Sequence, residues 1–208
     1  FGLLLVLGQL YVLFTGSMTG TDHLRVRRVT VRVPDLPKSF DGYRIVQFSD
    51  IHLGSMRSEL LERAVEQMNG LRPDMIAFTG DIQNMRPDEL TRHTSTLRRL
   101  HAKDGVYSVL GNHDYSEYVP KLPMQQRRHN EMLTRRFHAN VGWQLLLNDH
   151  RIIRRANDSI VIAGEENDGL PPFPSKADLK RTLRGVNAHS FVVMLQHDPS
   201  AWRRSILP

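Results

Sequence analysis

The chain has 208 residues, 40% of them apolar and 24% charged, which is enough for one α/β domain with a substantial core. It has no cysteine, so disulfides and thiolate metal sites are excluded; any metal must be held by His, Asp, Asn or Glu, ligands that suit Mn, Fe, Zn or Mg. The net charge of +6 fits a solvated basic surface and equally an anionic partner: nucleic acid, lipid headgroups or a phosphorylated substrate.

Phe1 to Phe14 is apolar except for Gln9 and two glycines. Alone it is shorter than the roughly 20 residues that span a bilayer. The chain starts inside this run, on Phe and not Met, so it is read as the end of a transmembrane anchor, with a signal-peptide core as the alternative. Residues 1–20 are thus expected to be anchor and linker, and residues 21–208 a single domain. Arg25, Arg27 and Arg28 follow the linker, and the positive-inside rule puts that flank on the cytoplasmic side. Val29, Val31 and Val33 alternate with Thr30 and Arg32, which predicts a half-exposed strand.

From Arg44 onward, apolar runs of strand length alternate with helical spacing. Arg44–Ser49 is the first strand. Leu61, Ala64, Val65 and Met68 predict a helix capped by Ser58 and closed by Asn69-Gly70. Met75–Thr79 is the next strand, and Pro87 opens a helix carrying Leu90, Leu97 and Leu100 on one face. Val106–Leu110 is the third strand, and this order implies a mainly parallel sheet. An arginine-rich helix spans about Arg127–His138. Leu145–Leu147, Asn148-Asp149 and Ile152-Ile153 read as a hairpin. Ile160–Ala163 adds a strand, Ser175 can cap a short helix through Leu183, and Phe191–Leu195 is the last strand.

The chemistry sits just beyond four of these strands. Asp50-Ile51-His52, Gly80-Asp81, Gly111-Asn112-His113-Asp114 and Gln196-His197-Asp198 each stand at a strand's C-terminal end. Ligands of open α/β sheets bind in the crevice outside those ends. If the four strands are neighbours in a sheet, Asp50, His52, Asp81, Asn112, His113 and His197 converge. Asp50 and His52, two apart, can chelate one ion, and the Asp81 carboxylate can bridge two. Asn112 offers an amide oxygen and His197 a nitrogen. Two ions about 3.5–4 Å apart clamp a phosphoryl group and generate hydroxide at neutral pH. His113 can protonate a leaving oxygen or hold a phosphoryl oxygen, and Asp114 can fix its tautomer. Glu165, Glu166 and Asp168 follow a strand and stand either at the substrate or at the surface. Arg127, Arg128, Arg135 and Arg136 form a solvated helix face or meet phosphate or lipid. His23, His93, His101, His129, His138, His150 and His189 are read as solvated.

Three of these blocks, Asp50-Ile51-His52, Gly80-Asp81 and Gly111-Asn112-His113-Asp114, resemble the first signature motifs of the calcineurin-like metallophosphoesterases, and the resemblance runs from about Tyr43 to His197. It implies a four-layer α/β/β/α sandwich, here incomplete at its C-terminus, with a dinuclear centre of two divalent ions between the sheets. It assigns Asp50 and His52 to one metal, Asp81 to the bridge, and Asn112 and His197 to the second. His113 becomes the catalytic histidine and Asp114 its partner. The family's closing Gly-His-x-His is absent from these residues, so the chain is expected to be a truncated and inactive fragment. The apolar start and Leu36-Pro37…Asp41-Gly42-Tyr43 resemble the membrane-anchored bacterial branch. That implies a phosphoesterase at the cytoplasmic membrane acting on a phosphomonoester, phosphodiester or pyrophosphate, lipid-linked substrates included, and no specific nucleic acid. The alternative is a non-catalytic basic module on the same fold that binds nucleic acid or lipid.

Overall fold

A computed structural model describes residues 5–9, 11–13 and 23–206. The chain divides into two compact units, Phe1–Val33 and Pro34–Pro208. In the first, residues 5–9 and 11–13 are helical and exposed. No helix among the described residues is long and apolar enough to cross a membrane. Of the anchor and linker expected over residues 1–20, residues 1–4, 10 and 14–20 lie outside the described residues. The strand expected at Val29–Val33 does not form, and Val29 and Val31 are 69% and 73% exposed. Alternation supplies one apolar face, but a strand also needs a paired ladder for its backbone. Among the described residues no strand pairs with this stretch.

The second unit holds two sheets. Strands β1 (Ile45–Phe48), β2 (Met75–Thr79), β3 (Val106–Val109) and β4 (Gln144–Leu145) are parallel and adjacent in that order. Strands β5 (Asp149–Arg155), β6 (Asp158–Gly164) and β7 (Val192–Leu195) form the other sheet, with β5 antiparallel and β7 parallel to β6. Helices α1 (Ser58–Gly70), α2 (Thr94–Leu97) and α3 (Met124–Asn140) lie on the crossovers of the parallel sheet. The short α4 (Leu179–Thr182) lies beside β5, where His150 Nδ1–H donates to the Thr182 carbonyl at 2.8 Å.

The strand period of two decides which residues enter which core. On β2 and β3, Ile76, Phe78 and Val106 join Leu61, Val65, Leu97, Phe137 and Trp143 on the helix side. Met75, Ala77, Tyr107 and Val109 face the other way and meet Ile153, Ile160, Ile162 and Leu195 of the second sheet. The layer order is therefore the expected α/β/β/α, with one four-residue helix as the fourth layer among the described residues.

Four local expectations are corrected. β4 and β5 are not a hairpin: β4 completes the parallel sheet, and Asn148, at φ 53°, turns the chain into the second sheet. The hairpin is β5–β6, closed at Arg155↔Asp158. The helix expected after Pro87 is broken into the 3-10 turns Pro87–Glu89 and Thr91–His93 and the single turn α2. Its Thr91, Thr94 and Thr96 are poor helix formers, and the Thr94 hydroxyl donates to the Thr91 carbonyl instead. Ser58 is the first residue of α1 and makes no cap; α4 is capped by Asp178, not Ser175. His93 and His138 are buried, not solvated. Burial pushes the His138 imidazole down to about 3, so it packs neutral against Phe78 and Trp143 with Nδ1 on the Ser108 hydroxyl.

Arg155 ties the sheets together at the end away from the strand C-termini. Its guanidinium reaches Asp74 Oδ1 at 2.7 Å and Asp104 Oδ2 at 2.8 Å, and stands 4.6 Å over the Tyr43 ring. Burial pushes the Asp74 carboxyl up, but Arg155 and the Arg44 amide outweigh it and hold it below its ordinary 3.8. A depressed carboxylate stabilises the fold above its unfolded pKa, and that contribution is lost as the pH falls through the folded value. We expect Arg155→Met to cost about 2–4 kcal/mol at neutral pH, allowing for the part-exposed pair. The gap to wild type should narrow as the pH drops below the ordinary carboxylate value of 3.8. Urea titrations on both sides of that value measure it; an equal gap at both would assign the effect to packing on the aromatic rings.

Gly164 packs against the other sheet. A Cβ there would lie 2.5 Å from Leu146 Cβ and 2.8 Å from Val109 Cγ1. We expect Gly164→Ala to force the sheets apart at a cost of about 1–3 kcal/mol, read as a lower urea midpoint with an unchanged slope.

Candidate metal centre

The site is assembled from the segments that come after β1, β2, β3 and β7. Three of those strands are neighbours in the parallel sheet; β7 belongs to the second sheet, so His197 arrives from across the sandwich. The loops are stitched by backbone bonds: Asp50 N–H to Gly80 O, His52 N–H to Asp81 O and Leu53 N–H to Ile82 O. Asp50, His52 and Asp81 all lie in the left-handed region, at φ 54°, 39° and 62°. Asp and His tolerate that region better than most residues, and the stitching holds them in it. Gly80 (φ 98°) and Gly111 allow the β2 and β3 loops to touch. A Cβ on Gly80 would stand 2.5 Å from Gly111 N, and one on Gly111 would overlap Asp81 Oδ1.

Asp81 is the centre. It is buried, its Oδ1 accepts the His113 amide at 2.9 Å, and its Oδ2 lies 3.7 Å from His52 Nε2 and 3.6 Å from His197 Nε2. Two ligand groups form around it: His52, Asp81 and His113, and Asp50, Asp81 and His197. Within each, the ligand atoms lie within 4.8 Å of one another. Asp81 is common to both groups; Asp50 stands with His197 in one, and His113 stands beside His52 in the other. The His52 and His113 rings are 4.8 Å apart, edge to face.

All three imidazoles are oriented in the same way. His52 Nδ1 meets Gln83 O at 3.1 Å, His113 Nδ1 meets Asn84 O at 2.6 Å, and His197 Nδ1 meets Thr79 O at 2.8 Å. A carbonyl only accepts, so each Nδ1 carries the proton and each Nε2 turns its lone pair to the site. That is the orientation a metal-ligating histidine takes from its supporting shell. Asn112 Nδ2 donates to the Tyr118 hydroxyl at 2.7 Å, leaving Oδ1 2.9 Å from His197 Nε2. Two acceptors face each other there, an arrangement a cation between them relieves. Carboxylate, imidazole and amide oxygen without thiolate suit Mn, Fe, Zn or Mg, so these residues fit a divalent metal.

Asp114 does not pair with the His113 ring, contrary to expectation. Its carboxylate is fully buried and accepts four backbone amides: Asp81 at 2.9 Å, Ile82 at 3.0 Å, Gln83 at 3.3 Å and Gly111 at 2.9 Å. The side chain folds back under its own 3-10 turn, Asn112–Tyr115, so the ring of His113 points elsewhere. Burial and the nearby Asp81 push the carboxyl up to about 7, against the amides of Gly111, Gln83 and Asp81. The His113 partner that sequence reasoning missed is Asn84. Glu89 fixes that residue by accepting its amide at 2.6 Å, and Ser55 bonds its side chain. Gln83, also missed, is fully buried and joins the His113 carbonyl, Ser116 and Thr134. The polar pair Gln83-Asn84 closely behind a strand-end Asp was the available signal.

The candidate acids after β6 are buried, not superficial. Glu166 is held by Arg135 and Asn148, and Asp168 by Ser175 and Arg204. Glu165 accepts from Gln196 Nε2 at 2.8 Å, and burial, then Asp168 and Asp178, push it up to about 7.

Because an Asn at 114 would turn an NH2 group against two backbone N–H donors, we expect Asp114→Asn to act through the loops. It should destabilise the protein by about 2–4 kcal/mol and disturb the Asp81 segment. Chemical denaturation checks this; full stability with a selective loss of turnover would return Asp114 to a catalytic role.

Comparison with known proteins agrees with this geometry. Residues 43–204 match the model of the family described as calcineurin-like phosphoesterase. An uncharacterized metallophosphoesterase, YkuE, of Bacillus subtilis is 30% identical over 83% of this chain and 56% of its own length. A transmembrane protein with metallophosphoesterase domain from Danio rerio is 28% identical over 92% of this chain and 43% of its own. UDP-2,3-diacylglucosamine pyrophosphatase LpxG of Chlamydia trachomatis is 37% identical over 47% of this chain and 30% of its own. The chain thus spans about half or less of the length of these curated relatives. With two-sheet architecture, strand-end groups that could hold a metal and a family match over most of its residues, the chain belongs to the calcineurin-like phosphoesterase family.

Proposed function

We propose that this protein hydrolyses a phosphodiester or pyrophosphate bond, with a lipid-linked nucleotide as the favoured substrate class. The observation that carries the reaction is the Asp81 Oδ2 position between the Nε2 atoms of His52 and His197. The substrate class is supported by the likeness to a UDP-2,3-diacylglucosamine pyrophosphatase. The apolar run Phe1–Phe14 and the likeness to a transmembrane relative support work at a membrane surface.

Asp50, His52, Asp81, Asn112 and His197 hold the divalent pair in this reading. Bound there, the ions supply Lewis-acid charge to the phosphoryl oxygens and lower the pKa of the attacking water. The remaining steps belong to side chains. His113, pinned through Nδ1 on Asn84 O, moves a proton at Nε2; when protonated there it delivers it to the leaving oxygen. Tyr118 packs its ring 4.5 Å from His113 and limits that ring's rotation. The Tyr118 oxygen already accepts from Asn112, so its own proton is available to a phosphoryl oxygen. Burial holds the phenol above its ordinary pKa and therefore protonated at neutral pH.

Two variants test the assignment in the intact protein. Asp81→Asn should abolish both manganese binding by calorimetry and hydrolysis of bis-p-nitrophenyl phosphate. His113→Ala should retain the metal and lose about 10²–10⁴ in kcat. Equal metal loss in the two would make His113 a ligand, as its place beside His52 and Asp81 also allows.

A further inference from the structure

A cleft of about 240 Å³ is lined by Tyr115, Glu117, Met124, Arg127, Arg128, Glu131 and Lys176. It adjoins the reacting groups through one segment of chain. His113 and Asn112 start the turn that Tyr115 ends; Glu117 lines the cleft, and its neighbour Tyr118 packs on His113. The cleft is charged unevenly. Glu131 is taken by Arg135 and by Lys176, whose Nζ also stands 4.2 Å over the Tyr115 ring. Arg127 donates Nε to the Leu122 carbonyl at 3.2 Å, which orients the rest of its guanidinium. Among the described residues neither Arg127 nor Arg128 has a carboxylate partner within salt-bridge distance, and Glu117 is the one acid of the cleft likewise unpaired. Two guanidiniums without counter-ions, one of them fixed by a backbone carbonyl, suit a planar or tetrahedral oxyanion.

We propose that this cleft is a second anion subsite, holding the phosphoryl group that is not attacked when the substrate is a pyrophosphate diester. The inference rests on the phosphoesterase reading and narrows it: a substrate with two adjacent phosphoryl groups is bound across both places, a simple monoester in one. Lys176 is committed to Glu131 and the Tyr115 ring, so Arg127 and Arg128 make the contact. Met124, 63% exposed at the cleft, offers apolar contact to whatever the second phosphoryl carries.

The test compares UDP with UMP, as competitors of bis-p-nitrophenyl phosphate hydrolysis and as titrants of the metal-free protein by calorimetry. UDP should bind more tightly than UMP to the wild type in both assays. In Arg127→Gln/Arg128→Gln that advantage should fall by about tenfold or more, the loss expected for one charge-assisted hydrogen bond. Arg128→Gln alone, which leaves the Leu122 contact in place, should show part of the same loss. A UDP advantage unchanged in the double variant, or UDP and UMP weakened equally, would overturn the subsite. A wild type that binds UDP through these arginines yet never hydrolyses the diester would refute the phosphoesterase reading and leave the anion site standing.

Discussion

One buried carboxylate sets the geometry on which the site depends. Asp114 gathers the amides of Asp81, Ile82 and Gln83 from one loop and Gly111 from the next. Backbone amides at a strand end have no ladder partner and, once buried, must find an acceptor. By serving four of them, Asp114 fixes the loop whose outer side carries the chemistry. Asp81 is then aimed between two imidazoles, Gln83 O orients His52, and Asn84 O orients His113. Three separate side-chain orientations follow from the consecutive residues Asp81 to Asn84, the first three of them held on one oxygen pair.

The two ends of the sandwich are built on opposite principles. At the strand N-termini, Arg155 pairs with Asp74 and Asp104 and lies on aromatic rings, so the carboxylates face a cation under cover. At the C-termini, Asp50 and Asp81 stand close together with imidazoles, not cations, for company. Two carboxylates at short range repel each other. Divalent ions relieve that repulsion, so ion binding and the stability of this end should be coupled. The interior between the ends is ordinary packing, and Gly164, Val109 and Leu146 set how closely the sheets approach.

The strands of the sheets and the polar residues at their C-terminal ends could be read from the sequence because both signals are local. An apolar run of strand length leading into Asp, His or Asn appears four times, and each occurrence did place its polar residues at one end of the sandwich. What failed depended on direction or on distant partners. Adjacency could not say whether Asp114 faces the His113 ring or the backbone beneath it, and the number of unpaired amides nearby decided the matter. Asn148-Asp149 is good turn chemistry for a hairpin and equally for a crossing between sheets; the place open beside β3 took β4. Val29–Val33 had the alternation of a strand and no ladder to join. His93 and His138 sit on helical turns whose polar neighbours suggested solvent, yet both are buried, His138 against Phe78 of the sheet.

The left-handed residues explain why the ligand loops belong to the fold and not to flexible surface. Asp50, His52 and Asp81 each hold a backbone conformation that costs free energy outside glycine, of order 1–3 kcal/mol in the least tolerant cases. Such a conformation persists only where several bonds specify it together. Here the specification is mutual: the β1 loop is bonded to the β2 loop at Asp50, His52 and Leu53, and the β2 loop is bonded to Asp114. Gly80 and Gly111 bring the loops close enough for those bonds, because a side chain on either would occupy the space Asp81 and the neighbouring backbone need. Loosening one member therefore relaxes strain in the others and turns several donor atoms away at once. A site made this way keeps its donors in place before any ion arrives, so little of the binding free energy goes into ordering loops.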